Sequence, residues 1–307
     1  MRLSALVIAL LALTLGLAGA QQVNDPDADV SVAHPDFPKE SGPVIAIDSG
    51  HNNFHTIDGR YQPFAALLRN DGFRLVDSKS AFTGDSLSAF QVLVISNALP
   101  AALVKDWALP PASAFTPAEI GALKTWVENG GALLLIADHR PFAGSARDLA
   151  SAFGFTFEDG VVERDPLDSR SDIFTLADGS LHEDVVTRGR DPATAVTALR
   201  TFTGSSFQAP PTARPIIVLP PGYMSHQCLL PCRGSVPETD IAGHLQGAVM
   251  DVGKGRVAVF GEAGMFSAQV IKTPNMTFHF GFNARGAEQN KQFILNLMQW
   301  LTGVLPQ

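Results

Sequence analysis

Apolar positions along the chain follow two patterns. Short unbroken apolar runs occur at Val44 to Ile47, Val92 to Ile95, Ala132 to Ala137 and Ile216 to Leu219. Runs of this length suit strands buried on both faces of a parallel sheet. Elsewhere the apolar spacing becomes helical. Phe64, Leu67 and Leu68 mark a helix over 61–71, closed by Gly72,. Ile120, Leu123 and Val127, with Trp126 beside them, mark a second. Its start is the clearest local signal in the chain: Thr116 can cap, Pro117 suits the first helical position, and Glu119 can complete a capping box,. A short helix is expected over 145–153 and a final one over about 288–301, burying Phe293, Ile294, Leu297, Met298 and Leu301.

Arg74 to Val76 adds a strand, and Ala248 to Val252 with Arg256 to Phe260 reads as a hairpin around Gly253-Lys254-Gly255,. The alternation predicts an α/β domain over 44–302 with a mainly parallel sheet. It breaks down from Phe155 to Pro211 into charged turns and short mixed runs such as Val185-Val186-Thr187, so a β-rich insertion is expected over about 155–215.

The N-terminus changes the picture. Arg2, the apolar run from Leu3 to Leu17 and Ala18-Gly19-Ala20 form the pattern of a cleavable secretory signal over 1–20,. Residues 21–43 are polar, contain four prolines and read as a flexible lead-in,. The expected product is exported, periplasmic or secreted, with no stable membrane insertion once the signal is gone. Cys228 and Cys232 are the two cysteines, and in an exported chain such a close pair suits a local disulfide,. Formal net charge is −8, without basic runs, which argues against nucleic acid as a partner and for a small-molecule or carbohydrate-like substrate,.

Candidate chemistry gathers after the apolar runs. The first is followed by Asp48-Ser49-Gly50-His51-Asn52-Asn53-Phe54-His55, the run ending at Ala137 by Asp138-His139, and the second hairpin arm by Glu262. An open α/β sheet binds ligands outside the carboxyl ends of its strands, so parallel neighbours would bring these groups to one edge. Asp48, His51, His139 and Glu262 are the candidate catalytic residues. His51, His55, His139 and Asp138 are candidate ligands for a divalent metal such as zinc, which would activate a water. Without a metal, a histidine or carboxylate would act directly as general base. Ser49 is a third candidate, as nucleophile beside His51, although it lies in no Gly-x-Ser-x-Gly elbow,.

Gly130-Gly131-Ala132 through His139, with the capped helix before it, resembles the class I glutamine amidotransferase-like superfamily, in particular its trehalose-utilisation-like branch and related uncharacterised bacterial families. Val257 to Glu262 followed by the last helix fits the same plan. The resemblance runs from about Val44 to Leu301, interrupted by the insertion. It implies a flavodoxin-like three-layer sandwich. True amidotransferases carry a nucleophilic cysteine where this chain has His139, so thiolate-dependent glutamine hydrolysis is not implied. The expectation is an exported hydrolase acting on an ester, amide or glycosidic bond. The alternative is a non-catalytic carbohydrate- or ligand-binding module of the same fold, with Asn52, Asn53 and Phe54 in its crevice and Phe202 to Phe207 as its rim.

Overall fold

A computed structural model describes residues 22–105, 107, 109–164, 172–273 and 276–305. The signal expected over 1–20 lies outside the described residues. In chain order the first elements are β1 (Gln22–Asn24), β2 (Val44–Asp48), α1 (Gln62–Asn70), β3 (Arg74–Ser78), α2 (Gly84–Leu87), β4 (Val92–Ser96), α3 (Pro117–Glu128), β5 (Ala132–Ile136) and α4 (Phe142–Ala152). Then come β6 (Thr156–Glu158), β7 (Val161–Arg164), β8 (Ile173–Thr175), α5 (Val185–Arg188), β9 (Ala198–Arg200) and β10 (Ser206–Gln208). The rest are β11 (Arg214–Val218), β12 (Tyr223–His226), β13 (Glu238–Asp240), β14 (Leu245–Val252), β15 (Gly255–Phe260), β16 (Ala268–Lys272), β17 (Thr277–Gly281) and α6 (Asn290–Leu301).

The central sheet runs β3-β2-β4-β5-β15-β14-β10-β6, with β11 also paired to β14. The pairs from β3 to β15 are parallel, and β14, β10 and β6 continue antiparallel. Numbered by appearance, the parallel strands stand in the order 2-1-3-4-5, so the order reverses between β2 and β4. That reversal opens a crevice at the carboxyl ends of these two strands.

Period-two alternation divides the strands between two cores. Ile45, Ile47, Val92, Val94, Leu134 and Phe260 pack with α1 and α6 on one face. Ala46, Leu93, Ile95, Leu133, Leu135 and Val259 pack with α3 and α4 on the other. Both faces are covered, which is why these runs are apolar at every position rather than alternately. The result is a mixed α/β fold with helix, sheet and helix layers, plus small antiparallel sheets.

Several expectations change in detail. The single-turn α2 had no apolar periodicity to announce it. It is held by a capping box between Thr83 and Ser86 and supplies the crossover from β3 to β4. Helix α4 begins three residues before the expected Ser145, directly after Pro141. Val185 to Thr187 is helical rather than mixed, because Asp184 caps it by accepting from the Val186 N–H. The segment expected as a flexible lead-in carries β1, which pairs with β16 in the sheet β1-β16-β17. Asp25 and Asp36 anchor the same segment: Asp25 accepts from His279, and Asp36 pairs with Arg190. The insertion also shares the main sheet, since β6 and β10 near its ends extend it.

Candidate functional site

The loop after β2 is fixed by a buried chain of hydrogen bonds. Asp48, fully buried, accepts from His51 Nδ1 at 2.9 Å, from the Gly50 N–H at 3.0 Å and from Asn53 Nδ2 at 2.5 Å. The opposite ring nitrogen, His51 Nε2, lies 2.9 Å from Glu119 Oε1, and Phe82 and Phe115 flank the ring. Glu119 serves two purposes. Its Oε2 closes the expected capping box on the Thr116 N–H, while Oε1 reaches His51. Burial disfavours the charge on His51, but its hydrogen bond and attraction to Asp48, then to Glu119, outweigh that and raise its pKa above the usual histidine value,. Burial likewise opposes ionisation of Glu119, yet hydrogen bonds from Thr116 and His51 hold its pKa at about 2. The ring is therefore an imidazolium clamped between two carboxylates. Its role is to position the loop.

Strand β4 lies between β2 and β5, so the strands that carry Asp48 and Asp138 are not neighbours as a simple reading of the sequence supposes. The end of β4 bridges them. Ser96 donates its N–H to Asn53 Oδ1 at 2.8 Å. Asn97, with φ of 61°, accepts the Asp138 N–H on Oδ1 at 2.8 Å and turns Nδ2 toward His55 Nδ1 at 3.3 Å. That orientation makes Nδ1 of His55 the acceptor and leaves its proton on Nε2. Burial, then the nearby Arg60 and His139, lower the pKa of His55 to about 3, so this imidazole is neutral.

His139 is set the other way. Its Nδ1 lies 2.9 Å from the Arg140 carbonyl oxygen, to which it donates, leaving the Nε2 lone pair free of that bond. The side chain is half-buried. Asp138 accepts from the His139 N–H at 2.7 Å and from the Ala263 N–H at 3.4 Å. Glu262, almost fully buried, accepts from the N–H groups of Gly264 and Met265 at 2.7 Å each. Burial and the adjacent Asp138 push Glu262 well above the ordinary carboxylic range against those two donors. Tyr61 closes this side, accepting from Ser96 Oγ at 3.0 Å and donating to the Ala263 carbonyl at 3.1 Å.

The structure thus brings Asp48, His51, His55, Asp138, His139 and Glu262 to one end of the sheet, in two connected groups. Asp48 and His51 form an inner clamp with Glu119. His55, His139, Asp138 and Glu262 gather around Asn97 and Tyr61. Both ring nitrogens of His51 are engaged by carboxylates, whereas His55 and His139 are engaged at Nδ1 alone, by Asn97 and the Arg140 carbonyl. Among the described residues no three His, Cys, Asp or Glu side chains are grouped as a metal site, the expected set of His51, His55, His139 and Asp138 included. Ser49 Oγ donates to Asp77 at 2.5 Å, toward β3, and is no nucleophile beside His51. Phe202 lies against Phe280, while Phe207 packs in the core with Phe155 and Phe157. Sequence reading missed Asn97, Tyr61, Arg60 and the second role of Glu119; of these, only Asn97 stood at a strand end where the same rule could find it.

Other features lie elsewhere. A cavity of about 550 Å³ opens beside α5, lined by Thr187, Arg188, Arg190 and Thr197 among others, away from the strand ends. Cys228 and Cys232 form the expected disulfide, with Cα atoms 5.4 Å apart. No helix among the described residues is long and apolar enough to cross a membrane.

Set against known proteins, the chain matches no family model and no curated protein. Solved structures do resemble it. The mmIFT52 N-terminal domain is 16% identical with a TM-score of 0.57, over 84% of this chain and 97% of that one. A ThuA-like protein from Bacteroides uniformis is 13% identical with a TM-score of 0.44, over 88% and 93% of the two chains. A GMP synthase subunit from Thermoplasma acidophilum is also 13% identical, with a TM-score of 0.40 over 84% and 95%. At these identities the likeness concerns fold alone, and of these three only the first is similar enough to support an argument about it.

Proposed function

We propose that the chain is an exported hydrolase of a flavodoxin-like, glutamine amidotransferase-like fold, with its site where the strand order reverses. The 2-1-3-4-5 order of the parallel strands supports the fold reading,. The signal pattern and the disulfide support export,. One observation carries the chemistry: two neighbouring imidazoles are fixed in opposite tautomers, His55 as a donor at Nε2 and His139 as an acceptor at Nε2. His139 is then the general base that takes a proton from water, and neutral His55 steadies the oxygen on which charge develops. Asp138 holds the backbone that presents His139, and Glu262 fixes the turn after β15 by accepting from the Gly264 and Met265 N–H groups. Bonds of the ester, amide or glycosidic type are the substrates in view.

A second reading has its own observation. Phe54 is 42% exposed, and its ring stands 5.6 Å from Phe142, which meets Trp107 at 5.4 Å. Such an aromatic edge beside polar groups suits a carbohydrate-binding module as well. Turnover separates the two. The wild-type protein should cleave at least one class in a panel of ester, amide and glycoside substrates, and His139→Ala should lower that rate by about 10²-fold or more with little change in thermal melt. Ligand binding without turnover by the wild type would favour the module. An unaffected rate in His139→Ala would remove the proposed base.

A further inference from the structure

Arg60 stands out among the cations of this acid-rich chain. It sits in the turn leading into α1, half-buried, with its Cζ 4.4 Å from the Phe54 ring centroid. Its Nη1 donates to Gln269 Oε1 at 3.3 Å, and that oxygen also accepts from Gln22 Nε2 at 2.6 Å, so the bond is long and shared. Among the described residues no carboxylate pairs with it, although the chain has 30 acidic residues. Burial accordingly lowers its pKa, and no anion offsets this. A guanidinium has five N–H donors, and one is spoken for by Gln269,. Stripping water from such a group without a counterion is costly, and the usual compensation is an anion with paired oxygens. Beside it stands His55, whose Nε2 carries a proton and has no partner among the described residues.

Resting on the reading of the strand-end crevice as the binding site, we propose that Arg60, close to His55, recognises an oxyanion, so that the substrate or ligand carries a carboxylate or phosphate group. Phe54 holds the guanidinium flat, and its exposed ring lies beside the uncharged part of the bound molecule. The local arrangement argues for an anionic substrate.

Binding tests this without turnover. The His55 ring resonances of the full mature chain are followed by NMR during titration with inorganic phosphate, glucuronate and glucose at constant ionic strength. A saturable shift is expected with phosphate or glucuronate and none with glucose at equal concentration; the tighter anion identifies the group. Arg60→Gln should weaken that binding by about tenfold or more, and Arg60→Lys, which keeps charge but loses the fork, should fall between. The inference is overturned if neither anion shifts His55, if glucose matches glucuronate, or if folded Arg60→Gln binds as wild type. The comparison of glucuronate with glucose needs no variant, so misfolding of Arg60→Gln cannot mask the answer. Anion binding without hydrolysis would sink the enzyme reading and leave this one standing; hydrolysis indifferent to an anionic group would do the reverse.

Discussion

Removing the imidazolium clamp is the sharpest test of the site's architecture. His51→Ala leaves Asp48 fully buried with only Gly50 and Asn53 to donate to it, and leaves Glu119 with its cap and the Phe82 N–H. Two charge-assisted bonds are lost, along with ring packing against Phe82 and Phe115. Leaving a buried partner uncompensated typically costs about 3–5 kcal/mol. That is a large share of a domain stability of roughly 5–15 kcal/mol. The cost also has a pH signature. The folded pKa of His51 is raised, so its stabilisation is full below the unfolded value of 6.5 and declines as pH rises through the higher folded value,. Each unit by which the folded pKa exceeds the unfolded one contributes about 1.4 kcal/mol to that decline.

Urea unfolding of wild type and His51→Ala at pH 6 and pH 9 measures both effects. The gap between the two proteins should be several kcal/mol at pH 6 and clearly smaller at pH 9. A gap under about 1 kcal/mol at pH 6, or one equal at both pH values, would refute the charged clamp and leave an ordinary buried ring. Because the clamp fixes the loop that carries His55, the His55 ring resonances should broaden or move in the same variant.

Two further outcomes follow from groups outside the clamp. Asp71, fully buried at the end of α1, has its pKa raised to about 6 by burial, with Asp36 adding repulsion against the hydrogen bonds from the Asp36 N–H and Gln299. The folded state thus holds this proton above the unfolded pKa of 3.8, so stability falls by up to about 3 kcal/mol as pH rises from about 4 to 6,. Asp71→Asn should flatten that part of the stability profile in denaturant melts, and an unchanged slope would count against it. Gly281 ends β17 opposite Ala268 and opens the turn closed by the Ala284 N–H, with φ of 88°, and an added Cβ there would lie 1.8 Å from the Ser267 carbonyl oxygen. Gly281→Ala should therefore lower stability by about 3 kcal/mol or more, measured by thermal or urea melt, and a loss under about 1 kcal/mol would show that the turn can relax.

What was legible in the sequence depended on how local its cause was. The parallel strands were readable because burial on both faces imposes an unbroken apolar run within the strand itself, as at Val92 to Ile95 and Ala132 to Ile136,. Strand β1 was not. It is three residues long, lies in a proline-rich polar segment, and is made a strand by a partner beginning at Ala268. Its cause is tertiary, and no periodicity records it. Helix α2, one turn held by its own cap, was equally silent.

The site divides along the same line. Polar residues at the ends of apolar runs are a local signal, and it reaches Asp48, His51, Asp138, His139 and Glu262. Their partners are harder to see, because a partner is defined by where its element docks. Glu119 reads correctly as a capping residue, and that sufficient explanation hides its second oxygen, which reaches 68 residues back to His51. Asn97 needs only the rule that applies to the neighbouring strands. In the sequence it is no more than a strand terminus, yet it sets the tautomer of His55 and receives the Asp138 N–H. Arg60 has no sequence signal at all. An arginine beside a helix start is unremarkable until the fold places Phe54 against its face and, among the described residues, no carboxylate beside it. A net charge of −8 describes the whole surface, whereas the preference of a crevice follows from the few groups that line it,.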